Sequence, residues 1–260
     1  MFEGALRFRG KLEAGNLCFG LGVTFADPAV SEVLAPELDF LWLDLEHTAN
    51  DFETLRGHLT AARAAGGAAC LVRVPSGDIA WTKRALDIGA EGIILPRVRS
   101  VEEVREFVSA CRYPPAGTRG FGPHRASDYG RLTGAEYLEL ANRAVLTIAQ
   151  IEDVAAVQAL DEILAVPGLD SLVLGPNDLA GSMGFPGQPE HPEVLRSMGE
   201  VCARAKEAGL PVGSGLGASC EFALKLIELG VQWLQCGGDY THLLEGQATF
   251  YAGLRAAQLG

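Results

Sequence analysis

Two acids that close apolar runs are the first candidates for chemistry in this chain. Glu152 ends Gln150-Ile151-Glu152 after one such run, and Asp178 ends Gly175-Pro176-Asn177-Asp178 after the next. Oxygen donors from neighbouring strand ends suit a hard divalent cation such as Mg²⁺, with room left for water and substrate. Either acid could instead cap the helix that follows it, since aspartate is a favoured helix-starting residue. Both together, at adjacent strand ends, point to metal. His47, in Asp44-Leu45-Glu46-His47, titrates near neutrality and suits a general base, with Asp44 or Glu46 placed to orient its ring. Arg73 lies in Leu71-Val72-Arg73-Val74-Pro75, where an unpaired buried guanidinium would be costly, so a carboxylate partner or an anionic substrate must be near.

Lysine placement narrows the chemistry further. Imine-forming aldolases need a lysine projecting from a strand, and the four lysines here are Lys11, Lys83, Lys206 and Lys225. Three read as helical and one precedes the first strand. An electron sink for aldol-type chemistry would therefore have to be a metal.

These residues need a scaffold that gathers strand ends. Short apolar runs occur at 17–25, 40–45, 68–74, 92–96, 146–151, 171–175, 211–215 and 233–236. Stretches of helical period separate them, at 51–65, 79–88, 101–110, 154–164, 192–207 and 218–228. Repeated βα alternation of this kind reads as a parallel sheet with crossover helices, and eight units in this length predict a closed (β/α)8 barrel. Ala64-Ala65-Gly66, Asp87-Ile88-Gly89-Ala90, Glu207-Ala208-Gly209 and Glu228-Leu229-Gly230 repeat one helix-to-strand turn, in which glycine takes the left-handed terminus. In such a barrel the catalytic face is the ring of strand C-termini, where Asp44, His47, Arg73, Gln150, Glu152, Asn177 and Asp178 all fall. The glycine-rich turns 213–217 and 236–239 occupy the places where many barrels hold phosphate, although they lack the dinucleotide fingerprint and could serve only as tight turns. Residues 113–130, rich in Gly, Pro and Arg, form one long irregular stretch of the kind used as lids or interface segments.

Composition fits a single barrel over residues 1–260, because 48% hydrophobic content supplies one large core. A net charge of −12 without a basic patch argues against nucleic acid and anionic membrane surfaces as partners. Six cysteines without Cys-x-x-Cys spacing fit a reduced, cytoplasmic setting, and residues 1–11 lack a signal-like or membrane-spanning apolar stretch.

Taken together, Trp42-Leu43-Asp44-Leu45-Glu46-His47, Leu71-Val72-Arg73-Val74-Pro75, Leu86-Asp87-Ile88-Gly89-Ala90 with Ile94-Leu95-Pro96, Pro114-Pro115-Ala116-Gly117-Thr118-Arg119-Gly120, Gln150-Ile151-Glu152 and Leu174-Gly175-Pro176-Asn177-Asp178-Leu179 resemble the class II, metal-dependent pyruvate aldolases of the HpcH/HpaI aldolase group. Leu45 stands where familiar bacterial members often carry glycine. The resemblance implies Glu152 and Asp178 as ligands of Mg²⁺, Mn²⁺ or Co²⁺. It implies Gln150, Asn177 and Asp178 as pyruvate-binding groups, Arg73 as enolate stabiliser and His47 as base. Asp87 matches an acid that raises the basicity of that histidine; its place at a helix end, on the opposite face of its own barrel, means that either a neighbouring subunit brings it to a base or its role is structural. The implied reaction is reversible cleavage of a 4-hydroxy-2-oxo acid to pyruvate and an aldehyde, in a homohexamer built as a trimer of dimers that exchange the last helix. Two alternatives stand beside it at this point. One is a lyase acting on malyl- or citramalyl-coenzyme A thioesters, with Arg119, Arg125 and Arg131 of the long stretch available to a nucleotide. The other is a catalytically silent barrel serving as a binding module.

Overall fold

The structure, a computed structural model, describes residues 1–258. Eight strands, β1 (Cys18–Val23), β2 (Phe40–Asp44), β3 (Ala69–Arg73), β4 (Gly92–Leu95), β5 (Leu146–Ile151), β6 (Ser171–Leu174), β7 (Val212–Leu216) and β8 (Trp233–Gly238), pair in parallel in chain order. β8 returns to β1, with Cys18 opposite Trp233, and closes the barrel. The helices are α1 (Glu3–Glu13), α2 (Ala29–Leu34), α3 (Phe52–Ala65), α4 (Ile79–Asp87), α5 (Val101–Cys111), α6 (Gly134–Ala144), α7 (Val154–Gln158), α8 (Leu160–Leu164), α9 (Pro176–Ser182), α10 (Pro192–Glu207), α11 (Cys220–Glu228) and α12 (Asp239–Gln258). The expected (β/α)8 architecture is thus present. The expected helix over 154–164 is broken in two at Ala159.

Inward-facing side chains fill the barrel and make a floor for its mouth. Phe40, Trp42, Leu71, Ile94, Ile148, Val173 and Trp233 form one buried interior cluster. Large rings fit because the neighbouring strand offers glycine: a Cβ on Gly213 would lie 2.0 Å from the Trp233 ring, and one on Gly20 would lie 2.5 Å from Phe40. Phe40 and Trp233 meet edge to face with centroids 5.2 Å apart, a favoured aromatic geometry. Gly213 of β7 therefore serves packing.

α1, which the sequence pattern did not announce, plugs the end of the barrel opposite the strand C-termini. Its buried face is Ala5, Phe8 and Leu12, and Phe8 packs edge-on against Phe40 and Trp233. The first-turn amides of Gly4 and Ala5 donate to Glu91, at 3.1 and 3.3 Å, so a distant carboxylate caps this helix. Asp170 sits at the same end, accepting from Arg9 at 2.9 Å and from Arg112 at 2.6 Å.

The long stretch 113–130 also lies at this closed end, which corrects the lid expectation. Arg119 donates to Asp87 at the end of α4, and Arg125 donates to the Leu59 and Ile88 carbonyls of the helix layer. Its length was legible, but not which end of the barrel it would join. Phe121 and Tyr129 remain exposed on it.

α12 carries an apolar surface that the rest of the chain leaves uncovered: Leu243, Leu244, Phe250, Tyr251 and Leu254 are exposed. Beside it lies an apolar hollow of about 680 Å³ lined by Phe19, Leu21, Phe25, Val30, Val33 and Leu38. The six cysteines are free thiols. No helix among the described residues is long and apolar enough to cross a membrane.

Candidate functional site

Residues in or just after β2, β3, β4, β5, β6 and β8 converge at the open end. Asp44 and Arg73 occupy the same level of β2 and β3, so their side chains lie next to each other. Arg73 Nε and Nη2 donate to the two Asp44 carboxylate oxygens at 2.9 and 2.7 Å, and Nη1 lies 3.1 Å from Glu46 Oε2. The guanidinium also rests over the Trp42 ring, 5.3 Å from its centroid. Burial works against the Arg73 charge; Asp44 and Glu46 outweigh it and hold the group above the usual arginine range. Two of the five N–H donors are hydrogen-bonded to Asp44 and Nη1 is ion-paired with Glu46, leaving a pair for a substrate oxygen.

Neither of the two acids caps the helix that follows it. Asp153 caps α7 through a 2.9 Å hydrogen bond from the Ala155 amide, which leaves Glu152 free to face the mouth. At α9 the residue before the helix is Gly175, which has no side chain to cap with, and Asp178 follows in the first turn. Glu152 is buried; its Oε1 accepts from the Arg97 backbone amide at 2.6 Å and its Oε2 from the Gln150 amide. A Cβ at position 175 would lie 2.5 Å from Glu152 Oε2, so Gly175 is what lets that carboxylate reach the mouth.

The electrostatics of this cluster favour a cation. Burial, then the nearby charges of Asp178 and Glu46, push the Glu152 carboxyl up to about 7, with the Arg97 amide opposing. Burial likewise raises Glu46, against the pull of Arg73 and His47. Gln150 Oε1 is buried without a hydrogen-bond partner among the described residues. Carboxylates that crowd one another beside an orphaned acceptor oxygen form an oxygen donor set fitted to a hard divalent ion. Among the described residues no group of three His, Cys, Asp or Glu could hold a metal. A metal here would have two protein carboxylates and take its other ligands from water and substrate.

Two recesses meet at Asp178. The larger, about 400 Å³, is lined by Trp42, Asp44, Arg73, Gln150, Asn177 and Gln235, among others. The smaller, about 240 Å³, is lined by Glu46, His47, Arg97, Arg99, Glu152 and Asp153 together with Asp178 and Ser182. No lysine lines either, in agreement with the sequence argument against an imine. His47 is mostly exposed, and Glu46 Oε2 is its near carboxylate, 3.6 Å from Nε2. Asp44 is committed to Arg73 and to the Glu46 amide.

Asp87 is not part of this cluster within one chain. It pairs with Arg119 at 3.1 Å, at the closed end. Arg119 and Arg125 are turned to that end as well, and Arg131 pairs with Asp128, so the cations offered to a coenzyme A nucleotide are absent from the mouth. Sequence reasoning missed Gln235, which enters the larger recess from β8 where Gly22 and Gly215 leave space. It also missed Arg97, whose importance lies in a backbone angle rather than in a motif.

Comparison with known proteins gives a consistent picture. The sequence profile of the HpcH/HpaI aldolase/citrate lyase family matches residues 23–245. A hydroxypyruvate/pyruvate aldolase of Pseudomonas aeruginosa is 37% identical, over 92% of this chain and 88% of its own length. A 4-hydroxy-2-oxo-heptane-1,7-dioate aldolase of Salmonella typhimurium is 38% identical, over 92% and 90%. Among solved structures, an HpcH/HpaI aldolase from Desulfitobacterium hafniense superimposes with a TM-score of 0.88 at 35% identity, covering 95% of this chain and 96% of that one.

Proposed function

This chain belongs to the HpcH/HpaI aldolase/citrate lyase family, and from that premise we propose that it is a divalent-metal-dependent aldolase. It reversibly cleaves a 4-hydroxy-2-oxo acid to pyruvate, or a related 2-oxo acid, and an aldehyde. The observation that carries this reading is the crowding of Glu152, Asp178 and Glu46 beside the orphaned Gln150 oxygen, with Arg73 lining the adjoining recess.

Glu152 and Asp178 would hold the ion, which when bound polarises the 2-oxo acid carbonyl so that charge can develop on its oxygen. Arg73 offers its remaining N–H pair to the same oxygen as the enolate forms, held in place by Asp44, Glu46 and the Trp42 ring. Gln150, Asn177 and the α9 backbone near Asp178 orient the substrate carboxylate. His47 takes the C4 hydroxyl proton as the C3–C4 bond breaks, leaving the aldehyde and the enolate, and a proton delivered to C3 of the enolate then gives pyruvate; addition runs both transfers in reverse, and Glu46 lies beside the His47 ring. In this reading the ion is Mg²⁺, Mn²⁺ or Co²⁺, and the setting is cytoplasmic. The assembly is a trimer of dimers exchanging α12, supported by the exposed apolar face of that helix and the hollow beside it. Asp87 would act on His47 only across such an interface.

Assaying 4-hydroxy-2-oxo acid cleavage and acyl-thioester cleavage side by side, each with and without chelator, tests the reading. Metal-dependent cleavage of the oxo acid is expected, along with a rise in melting temperature when pyruvate and Mn²⁺ are added together. Cleavage indifferent to chelation, or activity on thioesters alone, would overturn it.

A further inference from the structure

The smaller recess holds one cation without a counter-charge. Arg99 is committed to Asp153 at 3.1 Å. Arg97, exposed and among the residues lining the same recess as His47, Glu152 and Asp178, makes no ion pair among the described residues. Its backbone is in the left-handed region, at φ 55°, and its amide is fixed on Glu152 at 2.6 Å. Glycine or asparagine would accept that conformation more readily, so a long cationic side chain sits here despite a backbone cost. The root of that side chain is therefore held beside Glu152 at the edge of the recess, within a side chain's length of whatever occupies it.

We infer that Arg97 recognises an anionic group at the far end of the acceptor aldehyde. The inference rests on the aldolase reading, because it takes the His47 side of the carboxylate pair as the side where the aldehyde carbonyl meets the enolate. A negatively charged tail entering this recess meets Glu46, Glu152, Asp153 and Asp178; Arg73 and Arg99 are already paired with the first and third, the ion would offset the other two, and Arg97 is the cation left for the tail. The larger recess offers such a tail no equivalent. Its cation, Arg73, is occupied by two acids, and the other groups there include the neutral Thr24, Asn177, Gln235, Tyr240 and Thr241.

The test uses Arg97→Asn, which keeps the amide on Glu152 and tolerates a left-handed backbone, with Arg97→Lys as a charge-retaining companion. Addition of pyruvate is measured with three aldehydes of equal length, ending in a carboxylate, a sulfonate or a methyl group. For wild type the charged aldehydes should have the higher kcat/KM, and Arg97→Asn should lower the charged-to-uncharged ratio about tenfold, as expected for one charge-assisted contact. Arg97→Lys should retain part of the ratio, and comparing the two charged arms tells which anion the site takes. Exchange of the pyruvate C3 protons with solvent deuterium, followed by NMR in the presence of Mn²⁺, should proceed equally in wild type and both variants, because the donor half is untouched. A ratio unchanged in Arg97→Asn, or a wild type that favours the uncharged aldehyde, overturns the assignment of Arg97 alone. Absence of metal-dependent exchange in wild type overturns the aldolase reading beneath it.

Discussion

Replacing Arg73 with alanine should damage rate and stability by separable mechanisms. The rate effect comes from losing the N–H pair offered to the developing oxyanion; removing one such donor typically costs about 10²–10³ in turnover. The stability effect comes from what is left behind. Asp44 and Glu46 are each 9% exposed at the side chain and would lose the cation they share. Breaking a buried pair in this way costs about 3–5 kcal/mol. For a chain of this size each kcal/mol moves the melting temperature by about 2–4 °C, so a fall of roughly 6–20 °C is expected. Scanning calorimetry and steady-state cleavage of a 4-hydroxy-2-oxo acid on the same preparation read the two effects. Combining Arg73→Ala with Asp44→Asn should recover part of the melting temperature, since one stranded charge is gone, and none of the turnover. If Arg73→Ala stays within about threefold of wild-type turnover, the guanidinium is no part of transition-state binding and the mechanism is wrong at that step.

Other regions of the fold make their own predictions. Glu91→Ala strands three amides that donate to that carboxylate, those of Gly4, Ala5 and Cys70, and should cost about 2–4 kcal/mol in urea unfolding; a loss below about 0.5 would show that α1 seats itself without Glu91. Gly213→Ala forces a methyl to within 2.0 Å of the Trp233 ring and should lower stability by about 3 kcal/mol or more, unless the indole can shift, in which case near-neutral stability will reveal it. His58 is buried against Ser31 and burial lowers its pKa, so the folded chain binds fewer protons than the unfolded one between that lowered value and the ordinary value near 6.5. Stability should then decline as pH falls below about 6.5, by at most ~1.4 kcal/mol per unit, and His58→Gln should flatten that slope. A slope unaltered by the substitution would assign the decline to other groups.

The strands were legible because each is an apolar run of strand length bounded by turn residues, and β5 falls on the expected 146–151. Residues at their C-terminal ends could be grouped at one mouth for the same reason. What needed coordinates was pairing. A guanidinium flanked by Leu71-Val72 and Val74 had to find a carboxylate, yet only the β2–β3 register identifies it as Asp44, with Glu46 joining from the next turn. α1 escaped notice because its few apolar residues are interleaved with charges, and the aromatic floor they complete comes from β2 and β8. The break at Ala159 lies inside a continuous helical period and carries no proline or glycine to mark it. Asp153 beside Glu152 shows a further limit, since adjacent acids divide capping and mouth-facing roles by side-chain direction, which spacing does not encode.

The carboxylate that seats α1 has a consequence for how this molecule could be re-engineered. Glu91, the Asp170 cluster with Arg9 and Arg112, and the Asp87–Arg119 pair all tie down the end remote from the chemistry. At the other rim like charges are held together at some cost in free energy. On the proposed function, anchorage and reactivity occupy opposite poles of one cylinder, so a designer could rewrite the loops around the cavity while the base that keeps the barrel shut stays unaltered.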